Sequence, residues 1–547
     1  MRTRKLDAIT TSLILLVIVV FSSFVGRSIA GVLPFPRPLV QIAFGAAAGL
    51  VPQLEINLNP EIFFLLLVPP LLFIDGWRIP ADELLRDRWT ILHMAFGLVV
   101  ATVLIVGIFI AWLVPGLPMG AALALSAALA PTDPIAVASI ARRVPIPRRM
   151  MNLLQAESLL NDATGLVCLS FAIMFLMTGR FSAVSASTTF LWVAGAGLAI
   201  GYGITQAIVR TKTWIAARIG EDPGSQIVVS LLIPFVAYLA AEAASASGLF
   251  AAVAAGVTMA RAEATGRALG ATRIQRSAVW DSVQFIANGI VFVLLGEQLP
   301  TIISKARVTV EETGYHGLWW ALMMIVTIYA AMLMLRLAWV WTSVLLSRPS
   351  PREGALPVWR IVAATTVAGS RGAIAFAGIL TLPLLFSDGT AFAERDLTIL
   401  IAMGVIVLSL VTAAVGLPFL LKTDTVATVQ EAPSDIPART AAATAALSEI
   451  VRISAMHATP TGEANAYTTA TALVSRQYLQ RLETFGVRDG EEPAVHPDAK
   501  VMLEVRLAAI RAERDSIFLM RRQHTITATV ARRLVRELDL LEAHYEI

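Results

Sequence analysis

Roughly thirteen apolar runs, near residues 8–26, 38–53, 61–76, 90–114, 119–141, 151–178, 187–209, 225–243, 248–260, 278–299, 317–346, 358–384 and 397–421, leave little choice of fold. About 20 apolar residues in helical form cross the ~30 Å hydrocarbon core of a bilayer, and only helices and closed barrels satisfy their own backbone there. Hydrophobic residues make up 56% of the 547 positions and charged residues 15%, too apolar a balance for soluble domains of this length. The first four-fifths of the chain therefore reads as an all-α integral membrane unit, 1–422. The run at 248–260 is short for a crossing unless its flanks contribute.

The loops at 27–37, 77–89, 142–149, 210–224, 261–277 and 347–357 carry the great majority of the loop Lys and Arg and alternate with loops that carry few. The positive-inside bias makes that set cytoplasmic, with the N-terminus outside and everything after 422 in the cytoplasm of a bacterium bounded by its inner membrane. Arg2, Arg4 and Lys5 pull the other way. A cleaved signal peptide ending near Ala30 would account for them but breaks the parity of the later loops, so the first run is read as a retained helix. The same loop arginines explain the basic pI, which excludes nucleic acid as the reason for it. The single cysteine, Cys168, falls inside a span, so neither a disulfide framework nor a cysteine metal site can form, and no cofactor is implied. Beyond a Thr/Ala/Pro linker at about 423–440, residues 423–547 change character, with charged helical stretches near 440–456, 465–485 and 498–545, read as a cytoplasmic helical tail.

Ionisable side chains inside spans are costly and are functional candidates by default. The deep ones here are Asp133, Glu157, Asp162, Glu242, Arg336 and Arg371, with Asp75, His93, Asp281 and Glu297 nearer span ends. In span five, Pro131 and Pro134 flank Thr132 and Asp133; each proline removes a backbone donor and clashes with the preceding turn, so the helix breaks there. Broken helices at membrane depth line cavities, and their free carbonyls are ligands for a cation. In span six, Ser158 and Asp162 stack at i,i+4 on one face while Glu157 and Asn161 stack on its neighbour, so one stripe can face a water-filled cavity and the other the protein. Carboxylate, hydroxyl and carbonyl oxygens suit a hard cation such as sodium. In span twelve, Gly369 and Gly372 weaken the helix around Ser370 and Arg371. An arginine at that depth needs a carboxylate, and Glu157 is the expected partner, whereas Arg336 is expected to snorkel to the cytoplasmic interface. Spans five and twelve lie seven apart, as inverted repeats with two discontinuous crossing helices require.

These residues resemble the monovalent cation/proton antiporters, in the sodium/proton exchanger branch that includes bacterial NhaP-like proteins. The likeness runs over about 10–420. It rests on Pro131-Thr-Asp-Pro134, Glu157-Ser-Leu-Leu-Asn161-Asp162, Gly369-Ser-Arg-Gly372, the stretch Phe63 to Gly76, and Ser247-Gly-Leu-Phe-Ala. The resemblance implies a homodimer whose core domain moves against a dimerisation domain. It makes Asp162 the carrier of sodium, or lithium, and of protons, sets Asp133, Thr132, Ser158 and Glu157 around the cation, and gives Asn161 as the mark of electroneutral exchange and Arg371 as the partner of Glu157. A carboxylate withdrawn from water can hold a proton or an alkali ion, and their competition couples the two flows one for one, for pH and sodium homeostasis. Two other readings stay open on the residues alone: potassium/proton exchange, because ligand type does not fix cavity radius, and an intramembrane enzyme using Asp133 and Asp162 as an acid pair.

Overall fold

The computed structural model describes residues 2–29, 36–51, 60–78, 91–114, 116–134, 137–138, 146, 148–179, 183–220, 222–264, 270–312, 318–347, 357–386, 390, 392 and 394–421, with isolated positions beyond. The chain divides into two compact units, residues 1–422 and 423–547. The helices expected after 440 fall, save for isolated positions, on residues outside the described set.

Helices lie over the expected spans: α1 (Arg2–Ile29), α2 (Arg37–Gly49), α3 (Pro60–Arg78), α4 (His93–Leu113), α5 (Met119–Leu129), α6 (Arg148–Thr178), α7 (Ala183–Ile219), α8 (Pro223–Ala243), α9 (Gly248–Ala264), α10 (Gly270–Glu312), α11 (Leu318–Ser347), α12 (Val358–Val367), α13 (Ala373–Leu380) and α14 (Arg395–Leu421). Among the described residues seven helices are long and apolar enough to cross a membrane unaided, α4, α6, α7, α8, α10, α11 and α14. Several run past the limits that hydropathy set. At ~1.5 Å per residue the 43 residues of α10 reach about 65 Å, twice the hydrocarbon thickness, because charged residues at either end continue the helix in water.

The short span, α9, has 17 residues and follows a tight reversal at 244–247. Its start is capped from outside: the Glu242 carboxylate accepts the Gly248 N–H at 3.1 Å, a partner for one of the N–H groups a helix start leaves over. That is the place of Glu242, whose role the sequence left open.

Small residues bring helix backbones together. Gly45 and Gly49 of α2 pack on the backbone of α10 at Val293 and Glu297, and Gly296 of α10 packs back on Ile42. Gly256 of α9 sits against the Phe73 carbonyl of α3 and Gly76 of α3 against the Val253 carbonyl, while Gly201 of α7 meets Ala251 of α9. Where burial drives no association between apolar helices, close approach of this kind is what holds them. α2 and α10 are thus knit together, as are α3, α7 and α9, and the packing of α3 on α10 joins the two sets into one panel. The broken helices α5 and α12–α13 pack with α6 and α14 into a second group, lined by fully buried Ala121, Ala124, Leu125, Phe376, Ile379 and Ile406.

Candidate functional site

The site is made where two helices stop. α5 ends at Leu129, and residues 131–133 are not helical before the chain turns helical again at Pro134. α12 ends at Val367 and α13 begins at Ala373, leaving 368–372 as the second break. The breaks meet. The Asp133 N–H donates to the Ser370 carbonyl at 2.7 Å, and the Ser370 hydroxyl donates to the Asp133 carbonyl at 2.9 Å. Two prolines and two glycines thus free backbone groups that the partner break takes up, as buried N–H and C=O groups require. Glycine at 372 is needed because Asp133 occupies the space a Cβ would fill, and Gly165 of α6 lets the Pro131 ring approach in the same way.

Arg371 serves these breaks rather than a carboxylate. It is 3% exposed; its Nε donates to the Leu129 carbonyl at 3.0 Å, Nη1 to the Gly369 carbonyl, and its backbone N–H to the Ser409 hydroxyl at 2.9 Å. The expected Arg371–Glu157 pair is therefore corrected. Glu157 is held by Arg336, which donates from Nη1 to Oε1 and from Nη2 to Oε2 at 2.9 Å, a two-pronged fit of guanidinium to carboxylate. Both side chains are 2–3% exposed, so the snorkelling expected of Arg336 fails. The physical reason is facing. Distance along α11 from its end fixed how far Arg336 could reach toward water, while the helix face it occupies turns it inward, with Gly369 leaving room beside its guanidinium.

The two stripes of α6 separate as their spacing predicts. Behind the site, Glu157 also accepts from the Thr132 hydroxyl at 3.3 Å, and the Asn161 amide donates to Thr132 Oγ1 at 2.9 Å. In front, the Ser158 hydroxyl lies 3.5 Å from Asp162 Oδ2, and both residues line a cavity shared with Thr132, Asp133 and Gly372. The structure so brings Asp162, Asp133, Thr132 and Ser158 to one space and sets Glu157 and Asn161 against the protein. Among the described residues no cation pairs with Asp162. Two further side chains line the cavity that sequence reasoning did not place there: Asp75 of α3 and Asn288 of α10. Asp75 follows Pro69-Pro70 in the Phe63 to Gly76 stretch that carries part of the family likeness, nearer a span end than the deep acids; Asn288 carries no charge to draw notice.

The cavity therefore presents three carboxylates, two hydroxyls and an amide, all hard oxygen donors. Like charges facing one enclosed space favour uptake of positive charge, as protons or as an alkali ion. Among the described residues no three of His, Cys, Asp or Glu lie together as a metal cluster. Lone His93 stacks on Trp339 with ring centroids 4.6 Å apart, beside the Ser343 hydroxyl, away from the cavity residues.

The family model described as "Sodium/hydrogen exchanger, transmembrane" matches residues 16–423. An Escherichia coli (strain K12) protein described as the uncharacterized Na(+)/H(+) exchanger YjcE is 37% identical over 542 residues, covering 97% of this chain and 98% of that one. A Bacillus pumilus protein described as a sodium, potassium, lithium and rubidium/H(+) antiporter is 39% identical over 416 residues, 75% of this chain and 60% of its own. Among solved structures, the sodium proton antiporter MjNhaP1 from Methanocaldococcus jannaschii at pH 8 superposes with a TM-score of 0.60 at 17% identity, over 76% of this chain and 98% of that one.

Proposed function

The chain belongs to the sodium/hydrogen exchanger family and is a membrane-embedded cation/proton antiporter rather than an enzyme, and from that premise we propose that it exchanges sodium for protons, one for one, with Asp162 as the shared carrier. One observation carries the reading: Asp162 faces the cavity with, among the described residues, the Ser158 hydroxyl as its hydrogen-bond partner, while Glu157, on the adjacent face of the same helix, is neutralised behind the site by Arg336. A bare acid and a paired acid on adjacent faces divide the work into binding and scaffolding.

The exchange balances simply. The Asp162 carboxyl gives up its proton to the aqueous side and takes a sodium ion, with Ser158, Thr132, Asp133 and break carbonyls supplying oxygen ligands. On the other side the sequence reverses. The site then crosses with one monovalent cation on Asp162, the pair neutral in either case, and Asn161, an amide, adds no proton carrier of its own, which supports electroneutral exchange. By the loop charges, the antiporter domain 1–422 spans the bacterial inner membrane, and 423–547 form a cytoplasmic helical domain, with the N-terminus outside. The family resemblance supports a homodimer, and exchange of this kind serves pH and sodium homeostasis. Potassium, lithium and rubidium remain a second reading, favoured by the Bacillus pumilus relative, whose name gives all four cations.

The test is proton flux in proteoliposomes with the membrane potential clamped, on addition of sodium, lithium, potassium or rubidium. Sodium-dependent flux indifferent to the imposed potential is expected, and Asp162→Asn is expected to abolish it while the protein still elutes as a folded species. Retained exchange in Asp162→Asn would remove that residue from the mechanism; flux that follows the potential would end the one-for-one reading.

A further inference from the structure

Asn288 lies on α10 and is 8% exposed, and its Oδ1 is enclosed without a donor among the described residues. It lines the same cavity as Asp162, Ser158 and Asp75. An enclosed amide oxygen left bare is unfavourable, and native structures seldom tolerate one unless something else arrives to meet it. Its position is also fixed. The next residue, Gly289, packs against Val19 and Gln41 with no room for a Cβ, and two turns on Gly296 packs on the backbone of α2. Asn288 therefore sits on a closely packed helix of the panel and lines the cavity that Asp162 of the broken-helix group also lines.

We propose that Asn288 is a specificity-determining ligand: its side-chain carbonyl oxygen meets the alkali cation, directly or through one bound water, across the cavity from Asp162. The inference rests on the reading of Asp162 as the cation site and deepens it. A carbonyl oxygen is a hard donor that replaces part of an ion's hydration, and it contributes by its dipole and by where it is held. It takes up no proton of its own, so its removal weakens the cation's side of the competition at Asp162. Because Asn288 comes from the panel and Asp162 from the broken-helix group, the distance between these two ligands sets the size of ion that satisfies both.

The experiment uses the full chain in proteoliposomes, measuring proton flux against concentration of sodium and of potassium at one pH with the potential clamped. Asn288→Ala is expected to raise the KM for the preferred cation by about fivefold to tenfold, as for loss of one neutral polar contact. The sodium-to-potassium ratio of KM values should change with it, and the maximal rate should fall by much less. An unchanged KM ratio would overturn the proposal, as would a fall in maximal rate alone. If Asn288→Ala does not yield folded protein, Asn288→Asp decides. It keeps the oxygen and adds a charge, so it is expected to lower the cation KM and to move the pH of half-maximal exchange upward; values equal to the parent would overturn the proposal. Asp162→Asn runs in parallel. Exchange retained there defeats the underlying site reading, whereas an inert Asp162→Asn beside unaltered cation preference in the Asn288 variants defeats this inference alone.

Discussion

Arg336 and Arg371 are both buried, yet among the described residues Arg336 alone of the two pairs with a carboxylate, Glu157, and that difference governs what each is worth. Removing one member of a buried pair leaves an uncompensated charge, at a cost of about 3–5 kcal/mol. Arg336→Ala is thus expected to lower the thermal midpoint of the purified protein sharply, and Arg336→Met combined with Glu157→Leu to recover most of it, since replacing both charges by apolar groups is often near neutral. Arg371→Ala should leave the Glu157 pair intact; a larger loss of stability there than in Arg336→Ala, measured by thermal gel filtration, would reverse the assignment. At this scale the sequence was informative about need but not about partner. Glu157, Asp162, Asp133, Thr132 and Ser158 stood out because charge and hydroxyl in an apolar run are rare. Which arginine reached Glu157 depended on the rotation of α11, and an apolar helix with little one-sidedness carries no pattern to fix it. Asn288 escaped for a related reason, since a neutral amide in a span raises no electrostatic alarm.

Between residues 131–134 and 368–372 the two interrupted helices exchange hydrogen bonds that each lost by stopping. The prolines made the first interruption plain in the sequence, and the paired glycines pointed to the second. Their mutual contact followed only from the spacing of the spans. Ser370→Ala removes one of the two links, the hydroxyl to the Asp133 carbonyl, and leaves the main-chain link. We expect a loss of about 1 kcal/mol, the net worth of one buried hydrogen bond, seen as a modest drop in thermal midpoint with exchange retained. A collapse of folding in Ser370→Ala would mean that the hydroxyl, not the main chain, holds the crossing. The Glu242 cap on α9 is another contact invisible beforehand, because it spans a reversal whose geometry is set by the non-helical residues 244–247.

Across unit 1–422, a glycine-knit panel meets a broken-helix group, and both line the cavity. The panel is knit by glycine against backbone, at Gly45, Gly49, Gly76, Gly201, Gly256 and Gly296. Gly256→Val would push α9 from the Phe73 carbonyl, two residues before Asp75 on α3. We expect a destabilised protein whose surviving fraction has altered cation KM, and unchanged stability would show that the α3–α9 approach is looser than its geometry. Fold class was legible from composition because a bilayer admits so few solutions. Helix ends were not, since α7 and α10 continue as helix where hydropathy fades.

The main-chain atoms of Asp133 do the joining at the crossing, which has a consequence for how such a protein can vary. The Asp133 side chain fills the space that Gly372 leaves bare, so the joint and the cavity wall are built by one pair of positions, and any side chain at 372 would part both together.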